Sequence, residues 1–167
     1  MKNKKLMFLV QAAMIAAIYV VLVLVFAPIS ISAIQVRIAE ALTILPFFTP
    51  AAIPGLTIGC LLGNILTSCD ILDIVFGSLA TLIGALGSYG LRKYKFLVPL
   101  PPIIANTIIV PWVLRFAYGE ALPIPLMMLT IGIGEVISCG VIGLIVLFAL
   151  NKYKHVVFGT SNRMPLS

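Results

Sequence analysis

The chain has 167 residues, of which 62% are hydrophobic and 10% charged, and its mean hydropathy is +1.21. Soluble domains carry roughly 25% charged residues, so a chain this apolar cannot cover its own surface in water and needs a bilayer as its solvent. The formal net charge of +6 comes from basic residues grouped beside apolar runs, which suits anionic lipid headgroups and excludes a nucleic-acid surface.

Lys2, Lys4 and Lys5 precede an apolar run from Leu6 to Phe26. That run is too long for a signal-peptide core and ends at Pro28 without a small-residue cleavage site, so a retained helix 1 is expected over about 6–27. Residues 28–35 read as a linker. Helix 2 is expected over about 36–48, closed by Pro46 and Pro50. It is shorter than the roughly 17–25 residues of a full span. Helix 3 follows over about 51–68 and helix 4 over about 71–91. A basic loop carries Arg92, Lys93 and Lys95. Prolines 99, 101 and 102 open helix 5, about 99–118. Pro123 and Pro125 precede helix 6, about 125–150, and a tail holds Lys152, Lys154 and Arg163. The expected fold is a single all-α transmembrane domain over 1–167, a bundle of six helices.

Basic loops stay cytoplasmic. Placing the clusters 2–5, 92–95 and 152–163 on one side requires an even number of crossings between each pair, which six helices with both termini inside satisfy. The five acidic residues then fall in the outer half. Glu40 lies one turn into helix 2, with Arg37 three residues before it on the same face. Asp70 and Asp73 open helix 4, and Glu120 sits in the last outer loop. Glu135 lies about ten residues into helix 6, roughly 15 Å deep. Asn64, Asn106, Trp112 and Arg115 add polar or aromatic groups at comparable levels. A charge at the middle of a span costs about 2.5–3.5 kcal/mol on insertion scales, so such groups gather around a cavity or each other.

Each candidate has a plainer structural reading. Glu135 could pair with Arg115 or Arg37, and Arg37 with Glu40. Asp73 suits the positive end of a helix, Asp70 a cap, and Glu120 solvent. Asn64 and Asn106 could bond a neighbouring helix. Trp112 could belong to an interfacial belt or stack on a planar ligand. Ala12/Ala16 and Ala13/Ala17 form two small-xxx-small pairs that admit another helix, from this chain or a partner. Gly77, Ala80, Gly84, Gly87 and Ser88 on helix 4 are read as serving packing within the bundle. Cys60, Cys69 and Cys139 have no metal-ligand spacing, and His155 is the sole histidine, so no metal site is expected. Neither a phosphate-binding GxxxxGK[ST] loop nor GxSxG nor HExxH occurs, so no enzymatic role is expected.

Three stretches carry a resemblance: Gln35 to Pro46 (QVRIAEALTILP), Pro50 to Asn64 (PAAIPGLTIGCLLGN) and Asp73 to Leu82 (DIVFGSLATL). They resemble the signature of the queuosine-precursor transporter family. The resemblance implies a substrate-binding S component of an energy-coupling factor importer in the bacterial plasma membrane. It implies a ligand site near the outer face and a small-residue motif on helix 1, here Ala12, Ala13, Ala16 and Ala17. That motif would dock on a transmembrane coupling subunit carrying two ATPases. ATP would be used by those partners, with no cofactor in this chain. The implied ligand is a 7-deazaguanine: queuine or its aminomethyl or cyano precursor. Glu135 or Glu40 suits its N1–H and exocyclic amine, and Asn106, Asn64 or Arg37 its carbonyl. Trp112 suits its ring and Asp73 an aminomethyl cation. A stand-alone carrier remains the alternative, although neither an inverted repeat nor a chain of charges through the membrane is evident.

Overall fold

The computed structural model describes residues 2–30 and 36–157. Residues 31–35 of the expected linker, and the tail beyond 157 with Arg163, lie outside the described residues. All described elements are helical. Helix 1 is Lys2–Ser30, helix 2 Ile38–Phe47, helix 3 Ala52–Leu66, helix 4 Ile71–Gly90 and helix 5 Leu100–Ala117. Helix 6 is a continuous rod from Ile124 to Val157. The count of six agrees with the sequence reading. Four of these helices are long and apolar enough to cross a membrane, over Asn3–Pro28, Ile71–Gly90, Leu100–Ala117 and Ile124–Tyr153.

Three elements depart from their expected form. Helix 1 continues past Pro28 to Ser30, because a proline in a last turn removes one backbone bond without ending a membrane helix. Helix 2 is a 3₁₀-helix of 10 residues, far longer than the usual short 3₁₀ turn. At about 2.0 Å per residue it reaches roughly 20 Å, where an α-helix of that length reaches roughly 15 Å. Its three-residue turn stacks Arg37, Glu40, Thr43 and Pro46 along one line. Helix 6 changes to a π-helix over Val136–Ile142, directly after Glu135, and returns to α at Gly143.

Close contacts fix the helix directions. On helix 3, a Cβ at Gly55 would lie 2.7 Å from the Ala12 carbonyl oxygen, and one at Gly59 2.8 Å from Tyr19 Cβ. Gly63 meets Val23. The partner numbers rise together, so helices 1 and 3 run parallel with backbones nearly touching, the packing that small residues permit in membranes. On helix 4, a Cβ at Gly84 would sit 2.7 Å from Pro102 Cα, and one at Gly87 2.4 Å from Pro101 Cβ. Helices 4 and 5 are therefore antiparallel and equally close.

One turn is capped as read from the sequence: the Asp70 carboxylate accepts from the Leu72 N–H at 2.9 Å. Helix 5 ends in Gly119 at φ +65°, a left-handed position that glycine takes without strain. There Arg115 donates to the Glu120 carbonyl at 2.6 Å. The core joins Tyr19, Ile44, Leu56, Cys60, Val98 and Leu147 from helices 1, 2, 3, 6 and the 91–99 loop. The outer surface is apolar, with Ile71 70% and Phe116 72% exposed, as lipid requires.

Candidate functional site

Helix 2 carries the centre of the site, packed against helices 1, 3, 4 and 6. Glu40 is 1% exposed. One of its carboxylate oxygens, Oε1, accepts a short hydrogen bond from the Tyr19 hydroxyl of helix 1. The other, Oε2, is buried with no hydrogen-bond partner among the described residues. The Glu40 backbone carbonyl accepts from Thr43 Oγ1 at 2.6 Å and from Cys139 Sγ at 3.4 Å. Helix 2 is thereby tied to helix 6 at the depth of the carboxylate.

Glu135, 2% exposed, reaches the same place from helix 6. Its Oε2 accepts from Cys139 Sγ at 3.2 Å, and the buried amide of Asn106 on helix 5 lies near its side chain. One ligand atom each from Glu40, Glu135 and Cys139 lies within 4.8 Å of the others. Three such atoms are the set a cation could use. The Cys139 thiol, with a single proton, lies within donating distance of both the Glu135 carboxylate and the Glu40 carbonyl.

Arg37, half-buried at the start of helix 2, donates to Asn64 Oδ1 at 2.8 Å. Asn64 is wholly buried. Its amide nitrogen donates to the Asp73 backbone carbonyl at 3.2 Å and lies 3.8 Å from Cys60 Sγ. A single asparagine thus joins helices 2, 3 and 4. Gly77 leaves room for it: a Cβ there would lie 3.1 Å from Asn64 Nδ2. Asp73 stands at the rim, where its Oδ2 accepts from the Tyr118 hydroxyl at 3.2 Å. Partial burial pushes the Tyr118 phenol up to about 12; the Asp70 N–H opposes the shift and Asp73 adds to it.

The structure therefore brings together Arg37, Glu40, Asn64, Asn106 and Glu135, with Asp73 at the edge. The plainer pairings of Arg37 with Glu40 and of Glu135 with Arg115 give way to other bonds. Arg37 binds Asn64, Glu40 binds Tyr19, and Arg115 turns to the 119–120 loop. Trp112 is not among the group. It is 46% exposed and stacks on Phe116 at 6.4 Å, the placing of a membrane-facing aromatic. The helix 1 alanines divide: Ala12 and Ala16 are buried against helix 3, while Ala13 and Ala17 face outward.

Four participants escaped the sequence reading: Tyr19, Thr43, Cys60 and Cys139. Tyr19 had a signal, a lone hydroxyl deep in an otherwise apolar helix. So did Gly55, Gly59 and Gly63, a four-residue glycine repeat on helix 3. Ser138 Oγ, in the π-helical stretch, is likewise buried without a partner among the described residues.

No solved structure matches the chain significantly. A queuosine precursor transporter, QueT, of Lactococcus lactis subsp. cremoris (strain MG1363) is 38% identical over 85 residues, half of this chain and half of that protein. The QueT transporter family profile matches residues 9–152. That span reaches into all six helices and contains every residue of the buried polar group, and it establishes that this membrane-embedded chain belongs to the QueT transporter family.

Proposed function

We propose that this chain is the substrate-binding subunit of an ATP-driven energy-coupling factor importer and captures a queuosine precursor, a 7-deazaguanine, at the Glu40–Glu135 group. The observation that carries the site is Glu40 Oε2, a buried carboxylate oxygen without a hydrogen-bond partner among the described residues. Orphaned buried acceptors are rare, because each forgoes about 1–3 kcal/mol of hydrogen bonding. A deazaguanine presents an N1–H and an exocyclic amine side by side, the donor pair that a carboxylate accepts. Asn106 and Arg37 supply groups for its carbonyl.

In this reading the basic ends of the helices, Lys2, Lys4, Lys5, Arg92, Lys93 and Lys95, face the bacterial cytoplasm. The turns at 67–70 and 118–123 then face outward and the site opens toward them. The ring would lie against Tyr19 and apolar core in place of Trp112. Ala13 and Ala17, on the outward face of helix 1, dock the transmembrane coupling subunit, and ATP hydrolysis by two partner ATPases drives release inward. The binding chain itself needs only different affinities in its two states. The four-residue spacing of the outward alanines favours this over a stand-alone carrier, which needs no partner-facing stripe.

The test combines binding with transport. Purified chain is titrated with queuine and its aminomethyl and cyano precursors, and uptake is followed in vesicles with and without coupling subunits. Saturable binding by the chain alone, with uptake only when the subunits are present, is expected. Ala13→Leu and Ala17→Leu should keep binding and lose uptake. Uptake by the chain alone would establish the stand-alone carrier instead.

A further inference from the structure

The charges around the site do not balance. Around Glu40 and Glu135 lie Tyr19 from helix 1, Arg37 at the start of helix 2, Cys60 from helix 3 and Cys139 from helix 6, while helix 5 contributes the neutral Asn106; Asp73 of helix 4 stands at the rim, bonded to Tyr118. Arg37 is the sole cation in this set, against the carboxylates of Glu40 and Glu135. Its hydrogen bond goes to Asn64. Two carboxylates buried this close, 1% and 2% exposed, set two negative charges against one guanidinium, so a second positive group is needed for both to stay ionised.

Resting on the reading above, we propose that the Glu40–Glu135 pair is a cation-recognition subsite that selects an amine-bearing deazaguanine over a neutral one. Two further observations point at a ligand. Glu40 Oε2 and Ser138 Oγ, both on fully buried residues at this level, have no partners among the described residues. An ammonium is a three-donor group with one positive charge. It supplies hydrogen bonds to orphaned acceptors and the charge that the pair lacks. A nitrile offers only an acceptor and would face two carboxylates. This assigns the cation to the deep pair and leaves Asp73, tied to Tyr118 at the rim, outside the subsite.

The experiment compares two probes, 7-aminomethyl- and 7-cyano-7-deazaguanine, by calorimetric titration of the purified full chain. The aminomethyl compound should bind at least ten times tighter. Glu135→Gln and Glu40→Gln should each bring the ratio of the two affinities toward one, and Asp73→Asn should leave it unchanged. Thermal unfolding identifies any variant that fails to fold, and the wild-type ratio decides by itself if both do. Equal or tighter binding of the cyano compound by the wild type would overturn this inference alone and leave a deazaguanine importer standing. So would a ratio lost in Asp73→Asn but kept in both glutamate variants. Binding of neither probe would remove the proposed function, and the subsite with it.

Discussion

Gly59→Ala links the packing of the bundle to its site. The added Cβ would lie 2.8 Å from Tyr19 Cβ, 3.1 Å from Ala16 Cα and 3.1 Å from the Ala16 carbonyl oxygen. Ordinary contact begins at about 3.4 Å, so helix 1 must retreat by about 0.6 Å, the difference between 3.4 and 2.8. Two of the three atoms are backbone or its carbonyl, so no side chain can swing aside. Overpacking of this kind costs about 1–3 kcal/mol. The retreat also draws the Tyr19 hydroxyl away from Glu40, so loss of stability and loss of ligand affinity should occur together. Gly90→Ala is the control. Nothing lies within 4 Å of its Cβ position, and replacing a helical glycine removes unfolded-state freedom worth about 0.4–1 kcal/mol. Thermal unfolding in detergent should place Gly59→Ala several degrees below wild type and Gly90→Ala at or above it. A Gly59→Ala protein as stable as wild type would refute the direct contact of helices 1 and 3.

Other perturbations isolate single interactions. Tyr19→Phe removes the donor to Glu40 Oε1 and should cost about 1.5–3 kcal/mol, the worth of a hydrogen bond to a charged group; an unchanged unfolding midpoint would show that the bond contributes nothing. Asn64→Leu keeps the volume but leaves Arg37 and the Asp73 carbonyl without their partner, so it should destabilise far more than Ile65→Leu on the lipid face. Asp70→Ala deletes the helix 4 cap and should cost about 1 kcal/mol, with ligand affinity unaltered. Ala12→Leu, against helix 3, should lower the unfolding temperature, whereas Ala13→Leu on the outward face should not.

The helices were legible because hydropathy, proline and basic clusters mark where a chain enters and leaves a membrane. The tightness of their turns was not. Nothing local in Ile38–Phe47 distinguishes a 3₁₀-helix from an α-helix; its stretch follows from bridging between helices 1, 3, 4 and 6 with ten residues. The π-helix after Glu135 is equally a product of packing. The convergence of Arg37, Glu40, Asn64, Asn106 and Glu135 could be read from the cost of burying charge in hydrocarbon. Which atoms they bond could not, since Asn64 and Tyr19 intervene from other helices. Trp112 shows the limit of depth as a guide: it lies near the level of the group but on the opposite face of its helix. The alanines of helix 1 show the same limit, because only the position of Gly55 and Gly59 decides which pair is inside.

An experimental structure of the purified chain with 7-aminomethyl-7-deazaguanine bound would decide whether Glu40 and Glu135 hold the ligand. The ligand should lie within hydrogen-bond distance of Glu40 Oε2 and of the Glu135 carboxylate, between helices 2, 5 and 6. Ligand density elsewhere on the bundle, with Glu40 and Glu135 unchanged and closed on each other, would contradict it.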